Sequence, residues 1–200
     1  MIHDPNDILH ENILDIRDVK WYNELFLKIG MEKFNKGYYK QRNSLLTKMI
    51  ILTRPKKIFE FAAGGCDLAD QILKSCSIIC YIWSDFSFVA VDYAKKYIKD
   101  DRFKVINIDI SKEHKNINWQ KYDTVICVSP EHIENDLDIL DDIIQETNIF
   151  LSCPKFGGIS HIRFYPNDES IRRRYSKMME IKNIIDIPLA RKFIVWGIKK

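Results

Sequence analysis

The amino-acid sequence predicts an α/β protein with a Rossmann-like, mostly parallel β-sheet covered by helices on both faces. After Pro55, short apolar runs typical of buried strands alternate with segments of helical periodicity. This alternation is the pattern of a parallel sheet that is buried on both sides. The predicted strands span residues 57–61, 78–84, 103–108, 123–128 and 148–153, and the predicted helices span residues 67–75, 88–99 and 135–145.

The last two strand-like runs, residues 181–187 and 192–198, break this alternation. They are joined by Pro188-Leu189-Ala190-Arg191, a connection that is too short for a parallel crossover. We therefore expect the last two strands to be antiparallel neighbours. The parallel sheet would then end in an antiparallel C-terminal hairpin.

The part of the chain before Pro55 has a helical pattern. Helical periodicity runs from residue 18 to residue 52, with a break at Lys36-Gly37 and an end at Arg54-Pro55. We therefore divide the chain into an N-terminal helical extension, residues 1–54, and a ligand-binding α/β domain, residues 55–200.

Composition and charge are those of an ordinary folded protein. Hydrophobic residues make up 46% of the 200 residues and charged residues 30%. The net charge of +3 is too small to indicate a nucleic-acid partner, although it does not rule one out. Residues 1–7 lack a signal-peptide pattern, and no apolar run reaches the roughly 18 residues of a membrane helix. Five cysteines without paired spacing indicate reduced thiols, so we expect a cytoplasmic protein; the oligomeric state is not predicted.

A cluster of small residues follows the first predicted strand. Glu60 lies in that strand, and Ala62-Ala63-Gly64-Gly65-Cys66 connects it to the next helix. Small side chains let a ligand lie against the backbone, and unpaired N–H groups at a helix N-terminus attract its polar groups. The second strand ends at Asp85, whose two carboxylate oxygens can accept from ribose hydroxyls. Together these features indicate a nucleoside-containing cofactor, with Asp85 as a plain helix N-cap the alternative.

These residues resemble the motifs of the class I S-adenosylmethionine-dependent methyltransferases, over roughly residues 40–200. The first family motif is an acidic strand followed by Gly-x-Gly-x-Gly, of which this chain keeps only the central Gly64. Ala62 can replace the first glycine if its φ angle is negative, and Cys66 places a thiol where bare backbone is usual. Asp85-Phe86-Ser87, with the trailing Ala94-Lys95-Lys96, is similar to the second motif.

The resemblance implies a seven-stranded sheet and S-adenosyl-L-methionine as the cofactor. It implies that Asp85 binds the ribose and that Asp109, with Ile110 against the ring, binds adenine; Asp109 as a plain turn residue stays open. Arg42, on the helix before the first strand, would meet the methionine carboxylate. The expected cofactor-binding residues are Glu60, Ala62, Ala63, Gly64, Asp85, Phe86, Asp109, Ile110, Ser129 and Arg42.

Two histidines follow the fourth and fifth predicted strands. The segment with Glu131 and His132 is similar to the Glu-His-Ile turn of many small methyltransferases, and His161-Ile162-Arg163-Phe164 is similar to a loop of the same subgroup. Ligands of such sheets lie at the carboxyl edge, and a neutral imidazole accepts a proton near pH 7. We therefore expect His132 or His161 as a catalytic base, with Glu131 beside it; a structural role for either histidine stays open.

We expect a methyltransferase acting on a small molecule, with a hydroxyl of a sugar or secondary metabolite as the favoured acceptor. One alternative is the small-RNA 2′-hydroxyl type, in which a Glu-His after strand four helps hold a divalent metal. Here Glu131, His132 and Glu134 would be its ligands, but we expect no metal and interpret Arg172-Arg173-Arg174 as a solvated helix face. Another alternative is a non-catalytic binding protein on a degenerate methyltransferase fold. A dinucleotide-dependent oxidoreductase is disfavoured, because the last glycine of Gly-x-Gly-x-x-Gly is missing.

Overall fold

The computed structural model describes residues 17–157 and 161–200. The expectation of no signal peptide concerns residues 1–7, which lie outside the described residues. The helices of the described part are α1 (Val19–Ile29), α2 (Gly37–Leu52), α3 (Asp67–Ser75), α4 (Phe88–Tyr97), α5 (Ile110–Glu113), α6 (Asp136–Asp142) and α7 (Asp168–Tyr175). A 3₁₀ turn, Met31–Asn35, connects α1 to α2.

One mixed β-sheet forms the centre of the molecule. Its strands are β1 (Lys57–Phe61), β2 (Cys80–Asp85), β3 (Phe103–Asn107), β4 (Thr124–Cys127), β5 (Asn148–Pro154), β6 (Met179–Ile187) and β7 (Lys192–Lys199). The seven strands lie in the order β3-β2-β1-β4-β5-β7-β6, and β7 runs antiparallel to both of its neighbours. The predicted fold class is confirmed, including the antiparallel hairpin.

The sheet is buried on both faces because successive residues of its central strands point to opposite sides. On β1, Ile58 packs in a core with α2, α3 and α4, whereas Phe59 and Phe61 pack on the other side with α6 and α7. Both faces therefore need apolar residues, which explains the continuous apolar strands of the sequence. Helices α4 and α6 end earlier than predicted, at Tyr97 and Asp142.

The arginine run in α7 differs from the prediction at one position. Arg172 and Arg173 are exposed, but Arg174 is buried and pairs with Asp136 at the start of α6. Asp136 also accepts a hydrogen bond from Tyr175 Oη at 2.7 Å and pairs with Arg163 Nη1 at 3.1 Å. The interpretation as a solvated face was wrong for Arg174, because a buried carboxylate requires cationic partners.

The cysteine thiols are all free, and Cys66, Cys127 and Cys153 are buried. Within residues 17–157 and 161–200, no helix combines the length and the apolar character that crossing a membrane requires. The cytoplasmic location stays a prediction.

Candidate functional site

Two adjoining clefts lie where the parallel strands end. The first has a volume of about 610 Å³ and is bordered by α1, α2 and the segments after β1, β2, β4 and β5. The second, of about 550 Å³, is bordered by α1 and the segments after β3 and β4. Tyr22, Ala62, Phe86 and His132 line both clefts. The carboxyl edge of an open α/β sheet is the usual place for a ligand.

Two glycines after β1 have different roles. A Cβ on Gly64 would meet nothing within 4 Å, and its φ of +61° is one that L side chains rarely adopt. A Cβ on Gly65 would lie 2.8 Å from Asn35 Oδ1 and 3.0 Å from Phe34 Cβ. Gly64 therefore exposes its backbone to the first cleft, while Gly65 leaves room for the turn before α2 to pack closely against it.

Ala62 does not meet the condition set for it from the sequence. Its φ is +49°, in the left-handed region, whereas a replacement for the motif's first glycine was expected to have a negative φ. This conformation costs an L-residue about 1–2 kcal/mol. At position 62 the loop therefore has the left-handed backbone conformation that is typical of glycine, although the residue is alanine.

We expect Ala62→Gly to raise the free energy of unfolding by about 0.5–1 kcal/mol. Relief of the left-handed strain exceeds the extra entropy that a glycine adds to the unfolded chain. The measurement is the urea midpoint at unchanged m-value. Ala63→Gly is the matched control, because Ala63 is buried and lacks a positive φ, and it should lower stability. Equal effects of the two changes would contradict the strain at Ala62.

The N-terminus of α3 is not open as the sequence suggested. Asn35 Oδ1 accepts hydrogen bonds from the backbone N–H groups of Cys66, at 3.0 Å, and Asp67, at 3.1 Å. The expectation of unpaired N–H groups was wrong there, since a side chain from the α1–α2 turn caps them. The Cys66 thiol lies in the core and does not line either cleft.

Asp85 joins two loops at the wall of the first cleft. Its Oδ2 accepts from Gly64 N and its Oδ1 from Ser87 N, both at 2.9 Å. Burial raises the pKa of Asp85 to about 6, and these backbone hydrogen bonds oppose the rise. The cap of α4 is Ser87, whose side chain accepts from Ala90 N. The alternative of Asp85 as a helix cap was therefore wrong.

Glu60 and Arg42 are both buried, but only Arg42 lines a cleft. Tyr81 Oη donates to Glu60 Oε2 at 2.8 Å, and burial raises the pKa of Glu60 to about 8. The Arg42 guanidinium donates to Asn43 Oδ1 at 2.7 and 2.9 Å. Arg42 thus places a cation in the first cleft, whereas Glu60, which was expected to bind the cofactor, lines neither cleft.

The second cleft contains the acid predicted to bind adenine. Asp109 accepts from Ser111 N at 3.2 Å as the cap of α5, and it pairs with Lys112 Nζ at 2.7 Å. Burial opposes ionisation, but Lys112 and Ser111 prevail and lower the pKa of Asp109. Ile110 and Phe86 line the same cleft. Asp109 therefore is a turn residue that caps α5, and it also lines the second cleft.

The predicted catalytic residues come together in the first cleft. Glu131 and His132 lie on a 3₁₀ turn after β4, Pro130–His132, and His161 lies on the loop after β5. Glu131 Oε1 is 3.9 Å from His132 Nε2 and 3.7 Å from His161 Nε2. Ser129, just before the turn, lines the same cleft.

Two residues that the sequence analysis missed complete this group. Lys192 Nζ donates to Glu131 Oε1 at 2.8 Å, and Tyr22 Oη is 2.9 Å from His132 Nδ1. Lys192 is a charged residue at the start of β7, and the six residues that follow it are uncharged, which was the signal that could have revealed it. Burial would raise the pKa of Glu131, but Lys192 and the two imidazoles outweigh it and lower this pKa. Burial also lowers the pKa of His161 to about 4.

A buried arginine holds the two histidine loops together. Arg163 Nη1 donates to Ile133 O at 2.5 Å, and Arg163 Nη2 donates to Glu134 O at 2.9 Å. Ile162 N donates to Glu131 O at 2.9 Å. The turn after β4 is thereby fixed to the loop after β5, which keeps His132 and His161 adjacent.

The charge of this group is balanced within the protein. The donor atoms of Glu131, His132 and His161 lie within 4.8 Å of one another, which is close enough to bind a metal ion together. The Lys192 ammonium, however, already neutralises the Glu131 carboxylate. Glu134, considered earlier as a metal ligand, lines the second cleft instead. The expectation of no metal stays a prediction.

Comparison with solved structures identifies the fold. The N-methyltransferase NodS from Bradyrhizobium japonicum, in complex with S-adenosyl-L-homocysteine, aligns with a TM-score of 0.71 at 7% identity, covering 92% of this chain and 99% of that one. Magnesium protoporphyrin IX methyltransferase (ChlM) from Synechocystis PCC 6803 with bound S-adenosylmethionine gives 0.67 at 14% identity, covering 96% and 100%. No protein-family model and no curated protein sequence matches the chain.

The chain therefore has the fold of the class I S-adenosylmethionine-dependent methyltransferases. The likeness extends over nearly the whole length of both chains. At this level of identity it establishes the fold, and the roles of individual residues rest on the geometry above.

Proposed function

We propose that this protein is an S-adenosylmethionine-dependent methyltransferase. The observation that carries the proposal is the set of groups at the ends of the first three strands: the Gly64 backbone after β1, Asp85 at the end of β2 and Asp109 after β3. They border two adjoining clefts, as an extended nucleoside cofactor requires. Residues 55–200 would form the cofactor-binding domain, and residues 1–54 its helical extension.

The clefts suit the separate parts of this cofactor. Asp85 would accept from the ribose hydroxyls, since each of its oxygens keeps a lone pair beside its backbone donor. Asp109 and Ile110 would bind adenine, with Phe86 between the clefts. Arg42 would bind the methionine carboxylate, and the open face of Gly64 would let the chain of the cofactor pass.

The proposed methyl transfer requires the protein to orient the cofactor and the acceptor and to provide one proton acceptor. The cofactor, when bound, supplies a methyl group on a sulfonium that is already a good leaving group. His161 or His132 would accept the proton that a hydroxyl acceptor loses, with Glu131 beside both imidazoles. Tyr22 would fix the His132 ring through Nδ1. The acceptor would then lie at the end of β4, beside Ser129 and Glu131.

We further propose a small-molecule acceptor, with a hydroxyl as the attacking group. Helices α1 and α2 border the first cleft, and the aromatic rings of Tyr22, Phe34 and Tyr39 line it. The name of one similar structure, a magnesium protoporphyrin IX methyltransferase, gives a small molecule as the acceptor of that protein, which supports a small-molecule acceptor here.

The cofactor is tested by thermal unfolding with S-adenosyl-L-homocysteine and, separately, with NAD⁺. A ligand at 100 times its Kd stabilises by about 2.7 kcal/mol, which corresponds to a Tm rise of about 5–10 °C for a protein of this size. We expect that rise with S-adenosyl-L-homocysteine and none with NAD⁺. The opposite result would favour an oxidoreductase.

The acceptor is tested by cofactor consumption across sugars, phenolics, amines and RNA. We expect turnover with a hydroxyl compound of the first two groups. Turnover with RNA alone would contradict the small-molecule proposal. Cofactor binding without turnover on any acceptor would favour a non-catalytic binding protein.

A further inference from the structure

Lys192 and Glu131 form a buried ion pair at the floor of the first cleft. Their side chains are 10% and 1% exposed, and Nζ lies 2.8 Å from Oε1. The second oxygen of Glu131, Oε2, is buried without a hydrogen-bond partner. An ionised carboxylate in this position requires a nearby cation, because burial without one costs several kcal/mol.

The two histidines approach the same oxygen. Nε2 of His161 and Nε2 of His132 lie 3.7 and 3.9 Å from Glu131 Oε1, and the two rings meet edge to face at 5.1 Å. Lys192 is closer than either imidazole. A lysine amine is also a stronger base than an imidazole, so Lys192 supplies the positive charge that the carboxylate requires.

The antiparallel hairpin is what brings the lysine to this place. Lys192 is the first residue of β7 and pairs with Pro154, the last residue of β5. Because β7 runs antiparallel to β5, its beginning lies at the carboxyl edge of the parallel strands, where the clefts are. A parallel seventh strand would place this residue at the opposite edge of the sheet.

We propose that Lys192 is a positioning residue for methyl transfer: its ammonium is the permanent countercharge of Glu131, so the two histidines stay beside the carboxylate without carrying that charge. The catalytic part of this inference rests on the proposed function. The ion pair itself can be tested without an activity assay.

The consequence is a proton acceptor that stays unprotonated, and therefore available, further into the acidic pH range. A protonated imidazole cannot accept a proton, and a lone buried carboxylate would hold a neighbouring histidine in the protonated form. Lys192 and His132 lower the pKa of His161 in addition to burial, whereas Glu131 raises it. Loss of the ammonium should therefore raise the pKa of His161.

Other ionisable groups interact with this cluster, and they stay in place when Lys192 alone is changed. Glu131 interacts electrostatically with Tyr38 and Arg42 of α2, with Cys127 of β4 and with Cys153 of β5. Burial raises the pKa values of both thiols and of Tyr38. A difference between Lys192 variants at acidic pH therefore reports on the lysine.

The test compares Lys192→Met with Lys192→Arg by NMR titration of the histidine rings in the full chain. In Lys192→Met we expect the His161 titration to move to higher pH by about 1–2 units, the usual effect of removing a nearby like charge. Lys192→Arg should keep the wild-type titration. Lys155→Met is the matched control, because Lys155 pairs with Asp186 and does not line the cleft.

Activity gives the second reading of the same variants. The acidic limb of the pH–rate profile should move to higher pH in Lys192→Met, together with the His161 titration, and should not move in Lys192→Arg. Lys192→Gln replaces the methionine variant if that one does not fold. An unmoved His161 titration in a folded neutral variant, or tight binding of Mn²⁺ or Zn²⁺ by the wild-type protein at Glu131, would overturn the proposal. Absence of turnover in every variant would count against the proposed function, while the NMR result would still decide the role of Lys192.

Discussion

His161→Ala is expected to lower turnover about 10²–10⁴-fold and to leave the affinity for S-adenosylmethionine unchanged. The His161 ring lines the first cleft beside Glu131. With its pKa lowered to about 4, the ring is neutral from about pH 5 upward and can accept a proton. Turnover is measured under saturating cofactor, and cofactor affinity by calorimetry.

His132→Ala separates the two candidates. A large loss in only one of the two variants identifies that histidine as the proton acceptor. His114→Asn is the control, since His114 pairs with Asp142 and lines neither cleft. If both cleft histidines can be replaced without loss of turnover, the base lies elsewhere or the acceptor has no proton to lose.

Asp85→Ala is expected to weaken cofactor binding by about 1–3 kcal/mol, which is a roughly 5- to 150-fold rise in Kd. The change leaves the ribose hydroxyls without their acceptor and also leaves Gly64 N and Ser87 N unpaired. Asp85→Asn keeps one side-chain acceptor and should have a smaller effect. Calorimetry with S-adenosyl-L-homocysteine measures both.

Asp92→Ala is the matched control for Asp85, because Asp92 is exposed on α4 and lines neither cleft. Circular dichroism checks that each variant is folded. Unchanged cofactor affinity in folded Asp85→Ala would remove Asp85 from the site.

Local patterns in the sequence account for much of the fold. β1 and α3 have the predicted bounds, since an apolar run, a small-residue turn and an amphipathic segment are all properties of neighbouring residues. The hairpin also follows from a local feature, the short connection at 188–191. The positions of Asp85 and Asp109 follow from the same reasoning, because residues after parallel strands must meet at one edge.

Other features could not be predicted because they depend on residues far apart in the sequence. Arg174 is buried because α6 presents Asp136 to it. Asn35 caps α3 across 31 positions of the chain. The left-handed conformation of Ala62 also has no local sequence signal, since alanine rarely adopts it.

Residue patterns alone were enough to predict the fold class, the antiparallel hairpin and the strand ends that carry Asp85, Asp109, Glu131 and His161. Only the folded chain shows that Glu131 lies between two imidazoles and the ammonium of Lys192, which is 61 positions away. The physical reason is that periodicity and turn chemistry act over a few residues, whereas the ionisation of a buried group depends on every charge that folding brings close to it.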